Sequence, residues 1–252
     1  FRTEEIEFHS GISYRHLMLW HGVKDSFKLT PPHDISGKKI TEHLPENKTI
    51  LDMMKKSYDI LKDHPANSIW IWGEGSKPEL PSFKDKTGLS GTMISAVDLL
   101  KGIALCAKMN SIDVEGATGN VDTNFNGKAQ AAIEALKNGS DFVYIHVEAP
   151  DESGHRHEID NKVKSIELID KKIIGPVMQY LKQSGEDFRV MVLPDHPTPL
   201  IYMTHTSDPV PFAIYDSRAE TNSDVKYTEN YGKQTGIYVE PGFKLIDDLL
   251  EL

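Results

Sequence analysis

An α/β fold with a mainly parallel sheet flanked by helices is the architecture this sequence predicts. Strand-like and helix-like segments alternate from about residue 66 onward, and three polar clusters each follow directly behind a strand-like run. A chain of 252 residues, 38% of them hydrophobic, is also long enough to bury a sizeable core.

Taken in order, residues 1–65 are polar, with turn-formers in LTPPHDISGKK and one amphipathic stretch, TILDMMKKSYDILKDH. In that stretch Ile50, Met53, Met54, Tyr58, Ile60 and Leu61 fall near helical spacing. This part reads as a minor module or insertion, and 66–252 as the main domain. The main series runs SIWIW, TMISAV, the helix DLLKGIALCAKM, SIDVEGA, the helix GKAQAAIEALKNG, and FVYIHV. Trp70 and Trp72 alternate on the first strand, as core and edge packing. GATGNVDTNFNGK is glycine-rich but fits neither a P-loop nor a dinucleotide fingerprint, and reads as a loop into a helix capped by Asn126. A further helix begins near Glu158 with Ile159, Val163, Ile166, Ile173 and Val177 on one stripe; Gly175 and Pro176 should kink it. The strands FRVMVL and VPFAIY complete the series.

Composition excludes several classes. A net charge of -10 and a pI near 5.5 repel nucleic-acid phosphates over most of the surface. No apolar run approaches the roughly 20 residues of a membrane span. Cys106 is the single cysteine, so an intrachain disulfide is ruled out and a reducing, cytoplasmic setting fits. The chain opens FRTEE, without a methionine and without a signal peptide, which raises the expectation of residues before Phe1.

In sheets of this kind, ligands gather at the carboxyl ends of strands. Here those ends carry APDESGH after FVYIHV, PDHPTP after FRVMVL, and THTSDPVP a few residues on. Asp151 and His155 are four apart and converge if the segment turns helically. Asp195 and His196 are neighbours, expected to point in divergent directions. His205 lies in a loop between two threonines. Carboxylate and imidazole without thiolate suit manganese or zinc, and two such ions suit phosphoryl transfer. Singly, each motif has a plainer reading: DHP is a good turn, D-x-x-G can start a helix, and 11 histidines produce chance clusters. Jointly, behind strands of one sheet, they favour metal.

YIHVEAPDESGH, KSIELIDKKIIGPV, LPDHPTP and THTSDPVPFAIYD resemble the archaeal-type 2,3-bisphosphoglycerate-independent phosphoglycerate mutases of the alkaline phosphatase superfamily. SYRHLMLW, LTPPHDI, ANSIWIWGEG, GTMISAVDLLKGIA and GATGNVDTNFNGKA extend the resemblance over nearly the whole chain. It implies an alkaline-phosphatase-like core, with residues 1–65 as the remainder of an inserted substrate-side module and 66–252 as the C-terminal part of the metal-binding domain. It implies two divalent ions, Mn2+ or Zn2+, with Asp151, His155 and His205 holding one and Asp195 and His196 supplying ligands to the other. The implied reaction interconverts 3-phosphoglycerate and 2-phosphoglycerate through a phosphoserine, so the expected partner is a small phosphorylated substrate, with neither nucleic acid nor membrane. The family's nucleophilic serine and an accompanying aspartate lie in its N-terminal region; neither motif appears between Phe1 and Leu252, so no catalytic nucleophile is expected in this chain and the fragment alone is expected to be inactive.

Lys101 matches a lysine that contacts substrate phosphate in the family; its plain alternative is a solvated helix lysine. Arg15 offers a two-pronged grip on carboxylate or phosphate, against the alternative of a surface arginine. His16, His33 and Asp34 are weaker candidates, since PPHDI is a natural turn. What His157 adds, in the HRH run, is open. Two other functions stay in view: a metal-dependent phosphatase or sulfatase of the same superfamily, and a metal-binding fragment that is not an enzyme.

Overall fold

The computed structural model describes residues 1–11, 14–24, 27–219 and 225–251. Ser13, the first residue of SYRHLMLW, lies outside them. The chain divides into two compact units, Phe1–Pro78 and Glu79–Leu252, so the sequence boundary at 65/66 falls inside the first unit.

In the first unit, β1 (Ile6–Ser10) and β2 (His16–Trp20) pair antiparallel, with Ile6 opposite Trp20. The helix α1 (Lys48–Leu61) starts at Asn47, whose side-chain oxygen accepts the Ile50 N–H at 3.1 Å. Its buried face is Ile50, Met53, Met54 and Ser57, spaced i, i+3, i+4, i+7; Tyr58 and Ile60, expected on that stripe, face solvent. Ser57 is buried because it has work to do: its Oγ donates to the Met54 carbonyl at 2.7 Å and accepts the Ile69 N–H at 2.9 Å. SIWIW is thereby tied to α1 by a side chain and belongs to no sheet. Ile6, Leu29, Ile50, Met53 and Met54 form this unit's core, against which Ile69, Trp70 and Ile71 pack. Trp70 donates its indole N–H to Thr30 O at 2.7 Å, and Trp72 meets His33 edge-on with ring centroids 4.8 Å apart.

The second unit runs α2 (Phe83–Thr87), β3 (Gly91–Ile94), α3 (Asp98–Cys106), β4 (Asn110–Ile112), α4 (Phe125–Lys137), β5 (Phe142–Ile145), α5 (Ala149–His155), α6 (Ile159–Ile169), α7 (Gly175–Ser184), β6 (Arg189–Val192), β7 (Ala213–Asp216), α8 (Glu229–Thr235) and α9 (Leu245–Leu250). The strands β4, β3 and β5 form a parallel sheet in that order. Each connection is a right-sized helical crossover, α3 or α4, as parallel pairing requires. The central strand β3 is buried along its whole length, as a strand covered on both faces must be.

FRVMVL and VPFAIY do not join this parallel sheet. Their strands β6 and β7 pair with each other antiparallel, Arg189 opposite Asp216. No helix intervenes between them to return the chain to a parallel start. The cap of α4 is Asn124, not Asn126: its Oδ1 accepts the Gly127 N–H at 2.8 Å and its Nδ2 donates to Glu115 O at 2.9 Å. The expected kink at Gly175 and Pro176 is a π-helical turn, Asp170–Ile174, leading into α7. Proline cannot donate to the i−4 carbonyl, and the wider turn accommodates that loss without ending the helix. Ile173 packs with Phe125, Ala129 and Ala149, and Val177 joins them, whereas Ile159, Val163 and Ile166 are more than half exposed. Among the described residues no helix is long and apolar enough to cross a membrane.

Candidate metal centre

The polar clusters meet behind β5 and β6. Directly after β5, α5 begins with Pro150 in its first turn, where a missing N–H costs no helical bond. One helical turn then places Asp151 beneath His155, with Asp151 Oδ2 to His155 Nε2 at 3.3 Å. The loop after β6 brings His205 to the same carboxylate: His205 Nε2 lies 3.2 Å from Asp151 Oδ1 and 3.1 Å from His155 Nε2. His196 stacks on His205 with ring centroids 3.8 Å apart. Donor atoms of Asp151, His196 and His205 all lie within 4.8 Å of one another.

Asp195 and His196, expected to diverge, meet instead. His196 Nε2 lies 3.3 Å from Asp195 Oδ2, and Asp195 Oδ1 accepts the His196 N–H at 3.1 Å. His196 therefore stands beside the Asp151 set, with Asp195 outermost and more exposed.

The surroundings fix how these groups present themselves. His155 donates Nδ1–H to Met203 O at 2.9 Å, because a carbonyl can only accept. In that tautomer its Nε2 carries a lone pair, aimed at Asp151 and His205. The Thr198 hydroxyl donates to Asp151 Oδ1 through a short hydrogen bond and also lies 3.4 Å from His196 Nδ1. Lys162 donates to Pro150 O at 2.9 Å and to Thr198 O at 3.0 Å, joining the start of α5 to the loop after β6. Gly154 explains the glycine before the histidine: a Cβ there would sit 2.5 Å from Thr198 O. One carboxylate and three imidazoles converge, the orientation of one ring set by a backbone carbonyl, and no thiolate takes part; this donor chemistry fits a divalent cation.

A buried lysine and a half-buried histidine lie close to the cluster. Lys128, on α4, is 1% exposed and donates to His146 O at 2.8 Å. Burial lowers its pKa to about 8; Glu148 opposes the change and Lys101 adds to it. The His146 imidazole is likewise pushed down by burial, with the Asp195 carboxylate opposing. Lys101, on α3, holds Asp113 at 2.6 Å and Asp98 at 3.9 Å. Arg15 belongs to the first unit, its guanidinium over the Tyr14 ring at 4.9 Å. Sequence reasoning missed Thr198, Lys162, Lys128 and Met203. Thr198 lies inside PDHPTP and could have been weighed as a hydroxyl partner, but a backbone carbonyl such as that of Met203 leaves no trace in residue type.

The model of the Metalloenzyme superfamily matches residues 15–239, and the chain belongs to that superfamily. Membership implies binding of divalent metal. In sequence it is 44% identical over 265 residues to a probable 2,3-bisphosphoglycerate-independent phosphoglycerate mutase of Geobacter sulfurreducens, covering 99% of this chain and 66% of that protein. It is 45% identical over 269 residues to the 2,3-bisphosphoglycerate-independent phosphoglycerate mutase of Methanosarcina barkeri, covering 99% of this chain and 67% of the relative. The structure of the cofactor-independent phosphoglycerate mutase of Thermoplasma acidophilum shares the fold, with a TM-score of 0.55 at 20% identity over 99% of this chain and 66% of that one. The chain thus spans about two thirds of the length of the curated relatives it matches.

Proposed function

We propose that this chain is the metal-binding part of a cofactor-independent phosphoglycerate mutase, an isomerase of 3-phosphoglycerate and 2-phosphoglycerate. The observation that carries the reading is the convergence of His155 and His205 on the Asp151 carboxylate, at 3.3 and 3.2 Å, in a chain similar to such mutases over nearly its whole length. Asp151, His155 and His205 hold one divalent ion, Mn2+ or Zn2+, and Asp195 and His196 supply ligands to a second. Such ions, when bound, lower the pKa of a nearby hydroxyl and offset the charge that spreads over a transferring phosphoryl group.

This chain's own residues bind and orient. Thr198 and the Met203 carbonyl hold Asp151 and His155 with their lone pairs turned inward. In the second unit Lys101 contacts the substrate phosphate, exchanging its contact with Asp113 for it; in the first, Arg15 has the two-pronged guanidinium that suits a phosphate or carboxylate. Ser153 is not the nucleophile: it is fully buried and its Oγ donates to Ala149 O at 2.7 Å. On this reading the serine that carries the phosphoryl group lies outside these 252 residues, which cover 66% of the Geobacter relative. Residues 1–65 are the remainder of the substrate-side module, and the protein works in the cytoplasm on a small phosphorylated substrate, without nucleic acid or membrane.

Elemental analysis tests the metal assignment: the purified chain should retain divalent metal that an Asp151→Asn/His205→Ala double variant lacks, and equal contents would sink it. A chimera joining residues 1–252 to the unspanned portion of a relative tests the reaction. It should convert 3-phosphoglycerate to 2-phosphoglycerate, and release of inorganic phosphate in place of isomerisation would make the protein a phosphatase.

A further inference from the structure

We infer that His157 is a positioning residue of the metal centre, holding through its ring the loop that sets the His155–His205 pair. The inference rests on the reading that Asp151, His155 and His205 hold a cation. His157 has φ +57°, in the left-handed region that suits glycine and disfavours a side chain. Histidine adopts this conformation less readily than glycine, and a side-chain contact helps hold it there.

That contact is the hydrogen bond from His157 Nδ1–H to Leu200 O, at 2.7 Å. It is one of three of the same kind. Lys162 donates to Thr198 O at 3.0 Å, and His155 donates to Met203 O at 2.9 Å. Side chains from a short stretch around the α5–α6 junction thus take three carbonyls of the 198–203 loop, those of Thr198, Leu200 and Met203. Apolar packing cannot substitute for them at the loop's tip, where Ile201 is 77% and Tyr202 64% exposed. The middle bond, from His157, acts on the segment between Thr198, which holds Asp151, and Met203, which fixes the His155 tautomer and itself lies at φ +51°. Without the ring, Leu200 and the turn that presents Met203 O lose their anchor on the helical side. His155 and His205 then lose their fixed separation of 3.1 Å between Nε2 atoms.

His157→Gly separates positioning from mere turn formation, since glycine relieves the positive φ while removing the ring. Co2+ is the probe, read by calorimetric titration and by its visible ligand-field absorption. The expected result is a Tm of the metal-free protein equal to or above the wild type, with Co2+ bound about tenfold or more weakly and an altered spectrum. Wild-type affinity and an unchanged spectrum in His157→Gly would overturn the inference. An Asp151→Asn/His205→Ala variant run beside it tells the two ideas apart. If that variant loses Co2+ while His157→Gly keeps it unchanged, the positioning role alone fails; if it binds Co2+ as the wild type does, the metal reading fails and takes the positioning role with it.

Discussion

Lys128 shows how one residue ties stability to pH behind the centre. Its ammonium is buried against the His146 carbonyl, and burial lowers its pKa from 10.5 to about 8, Glu148 pulling the other way. Between those two values the unfolded chain keeps the proton that the folded chain has lost, so stability rises with pH across the window; below about 8 the cost of the buried charge is present in full. Lys128→Met removes the titrating group. In urea unfolding, the wild type should gain roughly 3 kcal/mol on the variant as pH rises through that window. A difference that stays flat with pH would mean that burial does not depress this lysine. In sequence Lys128 reads as one more helix lysine in GKAQAA; its burial follows from the packing of α4 under β5, which no local pattern encodes.

At the scale of elements, the centre depends on how closely α5 approaches the loop after β6. Gly154 sets that distance, because an added Cβ would press on the Thr198 carbonyl, which is backbone and cannot swing away. Gly154→Ala should therefore cost about 1–3 kcal/mol in stability, measured by denaturant unfolding, and loosen metal binding by forcing Thr198 away from Asp151. An alanine variant as stable as wild type, binding metal as well, would show that the two segments are free to separate. The same seam marks what sequence reading reaches. Asp151 and His155 are legible because helical periodicity alone brings i and i+4 together. The approach of His196 and His205 to them is not, since it depends on a loop whose hold is on carbonyls. Likewise the parallel core of β4, β3 and β5 follows from alternating strands and helices, while the antiparallel pairing of β6 and β7 depends on the lack of a crossover helix, which the two apolar runs do not announce. The sequence points to Asn126 as the cap of α4 because the loop offers Asn124 and Asn126 in similar contexts; the bonds of Asn124 to Gly127 N–H and Glu115 O place it two residues earlier.

At the scale of the whole molecule, each unit has its own core: Ile50 and the methionines of α1 in one, Phe125, Ala129, Ala149 and Ile173 in the other. Every proposed metal ligand lies in Glu79–Leu252, whereas Arg15 lies in Phe1–Pro78. A protein of residues 79–252 should consequently fold and bind Co2+ with the affinity of the full chain, by calorimetry; loss of binding would mean that the first unit supports the centre. The spacing of the ligands has one more effect. His155 and His205 are 50 positions apart, with α6, the π-helical turn, α7 and β6 between them. Closing so long an excursion has an entropic cost, which the donors cannot recover until the strands have docked. Before docking, the chain offers a passing ion only local pairs, Asp151 and His155 on a single turn of helix or the adjacent Asp195 and His196. For the ion proposed above, capture is then expected only once the strands have docked, so that it arrives as a seal on a finished fold, not as the nucleus around which the fold is made.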